Sequence, residues 1–295
     1  MKLIRTGAAF VSVDVNVVCG VCVASVVHTM SEGEPVCGVT SLGVEIYLLR
    51  PKASGRDQVE VYDAITYRLQ RCVTVPNARR FVDMASCEHC LCLYISDNRA
   101  ECIHRLNLQG NAQQWPVNNK PACLSVNADH NIIVTCDVVL KIKEFNPRGE
   151  LVRHVILPGN VINPWHAIQL TSGQFIVCHG DIDNPVHRVC KISPDGLHVV
   201  QSHGGHWGSD TGQYDVPGHL AVDDNEFVFV ADVCNRRVTL LSPTLKHVRQ
   251  VVSRDHFKWR PRRLCLEVNR GRLYVVDNED DGNEFIAGRV VVFSV

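Results

Sequence analysis

Neither sign of charge prevails in this chain. Thirty Lys and Arg stand against 31 Asp and Glu, for a net charge of −1 and a pI near 6.9. A protein that coats nucleic acid along its whole surface needs a strong cationic excess, so DNA is not an expected partner and any RNA role requires a local basic patch. Also missing is any apolar run long enough to span a bilayer without a charged or strongly polar interruption, so no membrane partner is expected. No G-x-S-x-G nucleophile elbow and no Gly-rich phosphate-binding loop occurs. Low-complexity tracts and linkers to a second domain are absent too.

Cysteine is plentiful, with 14 in the chain. Most sit inside apolar runs, such as Cys37 in VCGV, Cys123 in ACLSV and Cys265 in LCLEV. A free cysteine packs as a small hydrophobe, so this placement suits a reducing, cytoplasmic setting. At the N-terminus, Lys2 and Arg5 precede an apolar stretch that resembles a secretion leader. Asp14 and Asn16 interrupt it, and the alternation of Val11, Val13, Val15 and Val17 with polar residues reads better as a strand. Residues 1–18 are set aside as an N-terminal extension to a single domain, 19–295.

The stretch from Pro217 to Leu241 organises that domain. It holds three short runs rich in Val, Phe and Leu, separated by Asp, Asn and Arg, which is the pattern of a tight β-meander. Pro35, Pro76, Pro121, Pro164, Pro217 and Pro261 recur at intervals of 41 to 53 residues. Lacking an N–H, each belongs in the connector just ahead of a first strand. Four strands per repeat and six repeats predict an all-β, six-bladed β-propeller. The sixth repeat stops three strands in, at RVVVFSV. An exposed edge there would invite aggregation, so an N-terminal strand around Val21–His28 is expected to pair with Arg289–Val295 and close the ring.

Pro217–Leu241 also resembles an NHL repeat: Ala221-Val222-Asp223, Ala231-Asp232, Asn235 and Arg237-Val238 match that pattern, while Gly218 and His219 are displaced by one. The segments Ile95-Ser96-Asp97 with Ile103-His104-Arg105, and Val275-Val276-Asp277 with Arg289-Val290, match in part. The resemblance implies NHL-like four-stranded blades, similar to the C-terminal domain of TRIM-NHL proteins. The long Cys/His ligand series of a RING or B-box is not in this sequence, so any ubiquitin-ligase chemistry would come from a partner.

Several residues invite a chemical reading. Asp97, Asp232, Asn235 and Asp277 are expected to be structural turn residues, bonding backbone N–H groups and a neighbouring arginine, Arg236 or Arg237. Cys87, His89, Cys90 and Cys92 have metal-like spacing, as do Cys19 and Cys22, but alternation on a strand makes them ordinary core residues. His166, His179, His187, His198, His203, His206 and His219 crowd the fourth repeat and its exit loop, near Asp181, Asp183 and Asp210. Thr40, Asp83, Ser125, Gln169, Asp223 and Glu267 lie near the ends of first strands, where a hydrolytic propeller would hold its metal. The most basic stretch comprises Arg236, Arg237 and Lys258-Trp259-Arg260-Pro261-Arg262-Arg263. Its cations and ring would suit phosphates and a stacked base. The preferred reading makes Trp259 a wedge between blades on a solvated connector.

Together these features predict a non-enzymatic protein-interaction platform with no catalytic residue, cofactor or bound metal. By resemblance, that platform would recognise substrates in a ubiquitin-ligase pathway. Two alternatives are single-stranded RNA binding through the basic connector, with Arg236, Arg237, Lys258, Trp259, Arg260, Arg262 and Arg263 on one face, and a metal-dependent hydrolase of the gluconolactonase-like type.

Overall fold

A computed structural model of the chain describes residues 24–51, 57–136, 140–180, 183–280 and 285–295. The expected extension 1–18, together with Cys19 and Cys22, lies outside these residues. Strand β1 (Ser25–Gly33) comes first and is used last, in ring closure. Blade 1 is β2 (Gly38–Leu42), β3 (Glu45–Arg50), β4 (Gln58–Asp63) and β5 (Leu69–Thr74). Blade 2 follows with β6 (Phe81–Cys87), β7 (Cys92–Asp97), β8 (Cys102–Asn107) and β9 (Ala112–Pro116). Strands β10 (Pro121–Val126), β11 (Ile132–Cys136), β12 (Lys141–Phe145) and β13 (Leu151–Ile156) form blade 3. Blade 4 contains β14 (Pro164–Gln169), β15 (Phe175–His179), β16 (Val186–Ile192) and β17 (Val199–His206). In blade 5 are β18 (Pro217–Val222), β19 (Val228–Asp232), β20 (Arg237–Leu241) and β21 (His247–Val252). Blade 6 has β22 (Arg260–Glu267), β23 (Arg272–Asp280) and β24 (Phe285–Ser294), with β1 as its fourth strand. Every sheet is antiparallel, and helix among the described residues is limited to two short 3₁₀ turns. The chain is therefore all-β, a six-bladed propeller of four-stranded blades.

The second strands read as continuous apolar runs because each blade is covered on both faces. Successive side chains of a strand point to opposite sides. In β7, Leu93 and Ile95 enter the interface with blade 1, while Cys92 and Tyr94 enter the interface with blade 3. β19 behaves likewise, with Val228 and Val230 toward blade 4 and Phe229 and Ala231 toward blade 6. Six hydrophobic clusters result, one at each blade junction. Outer strands face solvent, so β5, β13 and β21 are largely exposed or alternate along their length.

The opening prolines depart slightly from expectation. Pro35 and Pro76 precede their strands, but Pro121, Pro164 and Pro217 are first residues of theirs and Pro261 is the second. A strand's first residue tolerates proline because its N–H need not join the ladder. In blades 2 to 6 the register also slips just after this point, between Phe81 and Asp83 and at the four equivalent positions. Each slip is a bulge at the head of the innermost strand, the kind of kink that re-aims the side chains beyond it.

Ring closure follows the expected plan but lies further along the chain. β1 pairs antiparallel with β24, with Ser25 opposite Ser294 and Met30 opposite Val290. The polar run after Met30 hid this strand in the sequence, since an outer strand needs few apolar residues. Met30 is 2% exposed and packs with Tyr274, Val290 and Val292 at the junction of blades 6 and 1. Across the same junction, Asn278 Nδ2 donates to Val36 O at 2.7 Å and Asn278 Oδ1 accepts from Val36 N–H at 3.3 Å. A Cβ on Gly288 would lie 2.1 Å from that Oδ1, which is why the position is glycine.

Removing residues 1–33 should strip β1 from β24 and produce a lower melting temperature with concentration-dependent association. Met30→Ala, which keeps the strand, should cost about 2–5 kcal/mol in urea unfolding. A truncated protein that melts like the full chain and stays monodisperse would refute this closure.

Candidate functional site

Five of the six innermost strands meet at the propeller axis in one buried polar cluster. Arg263 of blade 6 donates from Nε to Asp83 Oδ1 of blade 2 at 3.0 Å, and from Nη2 to Val82 O at 3.1 Å. The backbone N–H of Leu124, in blade 3, donates to Asp83 Oδ2 at 2.9 Å. Blades 4 and 5 add His166 and His219, whose rings stack 3.9 Å apart, with His219 Nε2 3.6 Å from Asp83 Oδ2. Each imidazole accepts a backbone N–H at Nδ1, from Leu220 and Leu264 respectively, both at 3.2 Å. The remaining proton therefore sits on Nε2, and His166 donates it to Leu124 O at 3.1 Å. Burial pushes the Asp83 carboxyl up, but the Arg263 guanidinium and His219 outweigh it and hold the group below the usual carboxylate range. Burial holds both imidazoles below their ordinary value, His166 further because His219 lies against it.

Asp83, His166 and His219 hold three ligand atoms within 4.8 Å of one another, a spacing a metal accepts. Arg263 already neutralises the carboxylate there, and both Nδ1 atoms are committed to backbone. The arrangement is a self-compensated plug. Of the six polar residues expected near first-strand ends, Asp83 alone joins it. Thr40 bonds Ser86, Ser125 bonds Ala167 O, and Gln169 accepts from Asn127. Asp223 caps its own turn, and Glu267 pairs with Arg270.

A second polar device recurs where the second strand of a blade ends. Asp232 closes β19, is fully buried, and accepts from Asp215 N–H at 2.8 Å in the incoming connector. Its other oxygen takes Asn235 Nδ2 at 2.8 Å and Arg237 Nε at 2.7 Å. Asp277 repeats this in blade 6, accepting the N–H groups of Lys258 and Trp259 at 2.9 Å each and Arg289 Nε at 2.8 Å. Asp97 of blade 2 holds the N–H groups of Arg79 and Arg80 at 2.7 and 3.1 Å. Blade 1 inverts the charges: Arg50 donates to the carbonyls of Ser31, Glu34 and Pro35 and is paired with Glu60 at 3.0 Å. These clamps fix the connectors, which with the turns between second and third strands form the upper face.

The basic residues singled out in the sequence are dispersed by these contacts. Arg237 is held by Asp232 and donates to Ser209 O and Gln213 O at 2.8 Å. Arg236 reaches the carbonyls of Phe257 and Lys258, at 2.5 and 2.8 Å. Arg262 is paired with Asp280, and Arg263 lies in the axial plug. Lys258 is exposed, bonded to Glu32 at 2.7 Å, with its ammonium 4.5 Å from the Trp259 ring centre. Arg260 stands 3.6 Å from Asp280. Trp259 is only half-buried and belongs to none of the six junction clusters. Phe257, two residues earlier, is the wedge, packed with Phe293 and Leu264 between blades 5 and 6. Strand β22 starts at Arg260, two residues earlier than the proline rule implies, and the residue expected to pack inward lies outside the junction cluster.

A different cationic wall emerges on the upper face. A depression of about 1010 Å³ runs from Phe285 of blade 6 across Pro35 and Pro51 of blade 1 to Lys120, before blade 3. Arg79, Arg80, Arg99 and Lys120 line its blade-2 side, all exposed, and none forms an ion pair among the described residues. Glu34, Asp57 and Glu101 also border it, but Asp57 is buried and accepts the Phe81 N–H at 3.1 Å. A shallower depression continues past Arg79 and Arg99 to Asn77 and Gln114. Sequence reasoning missed this wall because its cations come from two connectors and a turn, each with few charges.

The remaining candidates separate. Cys87 and Cys92 face each other across the β6–β7 turn and are buried at the junction with blade 3, while His89 stacks on His130 at 4.0 Å. None of the twelve described cysteines is in a disulfide. In the His-rich region, His166 and His219 go to the axis, His179 lies 3.4 Å from Cys190 Sγ, and His187 accepts Val216 N–H at 3.0 Å. His203 packs beside Tyr214 and His247, whereas His198 and His206 are exposed. Asp181 falls outside the described residues.

Buried imidazoles held neutral make stability depend on pH. His166, His179 and His219 are depressed by burial, His179 to about 4. The unfolded chain binds protons at these sites below pH ~6.5 and the native state does not. Their contribution is therefore complete above that value and is lost as pH falls through it toward the folded values. Asp83, held low by Arg263, adds nothing to the change between pH 7 and 5. The melting temperature should drop between pH 7 and pH 5, less steeply than the imidazoles alone would give, because burial pushes Asp232 up to about 6 and that carboxyl takes up a proton in the folded state. A flat or rising profile would contradict the neutral assignment.

No protein-family model matches the chain, and no curated protein sequence does. Solved structures do match in shape. The β-propeller domain of Cps50 (Swd1) from Myceliophteria thermophila aligns over 92% of this chain and 99% of its own, with a TM-score of 0.61 and 10% identity. Virginiamycin B lyase from Staphylococcus aureus aligns over 88% and 95%, with a TM-score of 0.57 and 9% identity. Kuenenia stuttgartiensis hydrazine synthase covers 88% of this chain and 97% of its own, at a TM-score of 0.57 and 13% identity. Two of these names denote enzymes and one does not, so at such identities the likeness extends to the propeller fold alone.

Proposed function

We propose that this chain is a non-enzymatic interaction platform whose upper face takes an acidic, extended segment of a partner protein. The observation that carries the reading is the wall of Arg79, Arg80, Arg99 and Lys120, four exposed cations on one side of a depression large enough for several residues. Cations with no ion pair among the described residues favour an anionic partner, and the backbone carrying two of them, Arg79 and Arg80, is already fixed by the clamp beneath. Phe285 and Ile286 on the opposite side offer apolar contact for side chains flanking the acids.

A gluconolactonase-like hydrolase is less well supported, since Arg263 and two neutral imidazoles occupy the axis around Asp83, the only candidate acid that reaches it. Single-stranded RNA binding has one observation in its favour: Lys258, Trp259 and Arg260 adjoin at the surface. Their acidic neighbours Glu32 and Asp280 oppose it. Service as the recognition module of a ubiquitin-ligase assembly, which the NHL resemblance implies, fits a platform whose RING lies on another chain. The buried thiols favour work in the cytoplasm.

The test is a displayed library of unstructured peptides selected on the full chain. Enriched sequences should be acidic, and a synthesised representative should weaken at least about tenfold on Arg79→Glu/Arg99→Glu and as salt is raised. Selection without acidic enrichment, or binding that survives that variant but is lost in Lys258→Glu/Arg260→Glu, would move the site off this face.

A further inference from the structure

The clamps of blades 1, 5 and 6 share one property that the clamp of blade 2 lacks. Each buries a charge opposite a partner of the other sign: Asp232 with Arg237, Asp277 with Arg289, Arg50 with Glu60. A buried charge without such a partner is strongly disfavoured. In the ladder, Asp232 faces Arg237 and Asp277 faces Arg289, but Asp97 faces Cys102. Among the described residues no guanidinium pairs with the Asp97 carboxylate, although the residue is fully buried. It accepts the backbone N–H groups of Arg79, Arg80 and Ala100, and on its other side lies the His104 imidazole with the Cys102 thiol beside that ring. His104 Nε2 lies 3.4 Å from Asp97 Oδ2 and 3.5 Å from Cys102 Sγ, and Cys102 and His104 are 5% and 1% exposed.

The N···O separation is long for a hydrogen bond, and both separations suit ligands of one ion. With zinc bonds of about 2.3 Å to sulfur and about 2.0–2.1 Å to nitrogen or oxygen, tetrahedral angles put N···S near about 3.5 Å and N···O near about 3.3 Å. All three donor atoms lie within 4.8 Å of one another. We propose that Asp97, Cys102 and His104 form a zinc site, in which the metal takes the place held by a guanidinium in blades 5 and 6. Thiolate, carboxylate and neutral imidazole around Zn²⁺ sum to zero charge, as Asp232 and Arg237 do. A thiolate–imidazole–carboxylate set selects zinc over calcium or magnesium, and water completes the fourth position. Binding releases the thiol proton to solvent, so uptake weakens as pH falls. Asp97 also holds the N–H groups of Arg79 and Arg80, so the ion would set the posture of the connector that carries two cations of the upper-face wall.

The experiment uses the full chain, purified without a metal-affinity tag, equilibrated with Zn²⁺ or Co²⁺ and dialysed. Elemental analysis should find about one equivalent of zinc. Cobalt should give a thiolate-to-metal charge-transfer band with the intense visible bands of a tetrahedral site. Cys102→Ser and His104→Gln should lose the band and the zinc, whereas Cys72→Ser, at an exposed thiol, should keep both. Cys102→Arg/His104→Thr rebuilds the blade 5 arrangement, and its melting temperature should not respond to EDTA, unlike that of the natural chain. Folded protein that takes up no zinc and shows no cobalt–thiolate band would overturn the proposal. So would zinc retained at full stoichiometry in Cys102→Ser, or nitrogen chemical shifts showing His104 as an imidazolium in zinc-treated protein.

Discussion

An arginine on the last blade reaches an aspartate on the second, 180 residues away in sequence, and the propeller is arranged around that contact. Most contacts in the ring join neighbouring blades, through apolar clusters and a few hydrogen bonds at each described junction such as Thr40–Ser86 and Asn278–Val36. Arg263 and Asp83 join blades that are not neighbours, and the contact works only if the intervening first strand holds its place. The two imidazoles and the Leu124 amide complete the cluster, so the ion pair is desolvated with both carboxylate oxygens of Asp83 engaged, while His219 Nε2 stands 3.6 Å from the carboxylate without a hydrogen bond. A buried pair of this kind adds little net energy but is costly to break on one side, which makes it a device for register and shape.

The architecture was readable because it is periodic. Alternating runs, recurrent prolines and a missing last strand are local patterns, and the six junction cores turn them directly into blades. The individual side chains were far less readable. Lys258 lies on the connector and Arg263 five residues on, in β22, and nothing near either in sequence says that one is buried at the axis and the other exposed. Their partners are remote in sequence, Asp83 in blade 2 and Glu32 in β1. Trp259 and Phe257 were confused for a related reason: a shift of where β22 starts decides which aromatic faces the junction. The Asp97–Cys102–His104 grouping was hidden by comparison with Ile103-His104-Arg105 as a motif. The ladder shows that Cys102, not Arg105, stands where blades 4, 5 and 6 place arginine.

The clamps show how a repeat can diverge while its geometry is kept. The residue at or near the end of the second strand is Arg50, Asp97, Asp232 or Asp277 in blades 1, 2, 5 and 6, and the partner changes with it. What persists in these four is that a connector's backbone groups are satisfied by a buried side chain. This freedom lets the upper face be rewritten loop by loop without loosening the disc, and it places a cationic wall over blade 2 while the blade 5–6 connector spends its cations on internal bonds.

Closure by β1 gives the propeller a temporal order. Its pairing joins Ser25 to Ser294, so the first described strand of the chain has its partner strand only when the last has left the ribosome. At ~5–20 residues per second that interval is roughly 15–50 s. During it, blades can condense on one another in succession, as in other repeat arrays, but the array remains an open arc with two unsatisfied ends. The contact that completes the molecule is thus its most non-local, and the newborn chain must keep β1 unpaired and available long after everything between has folded.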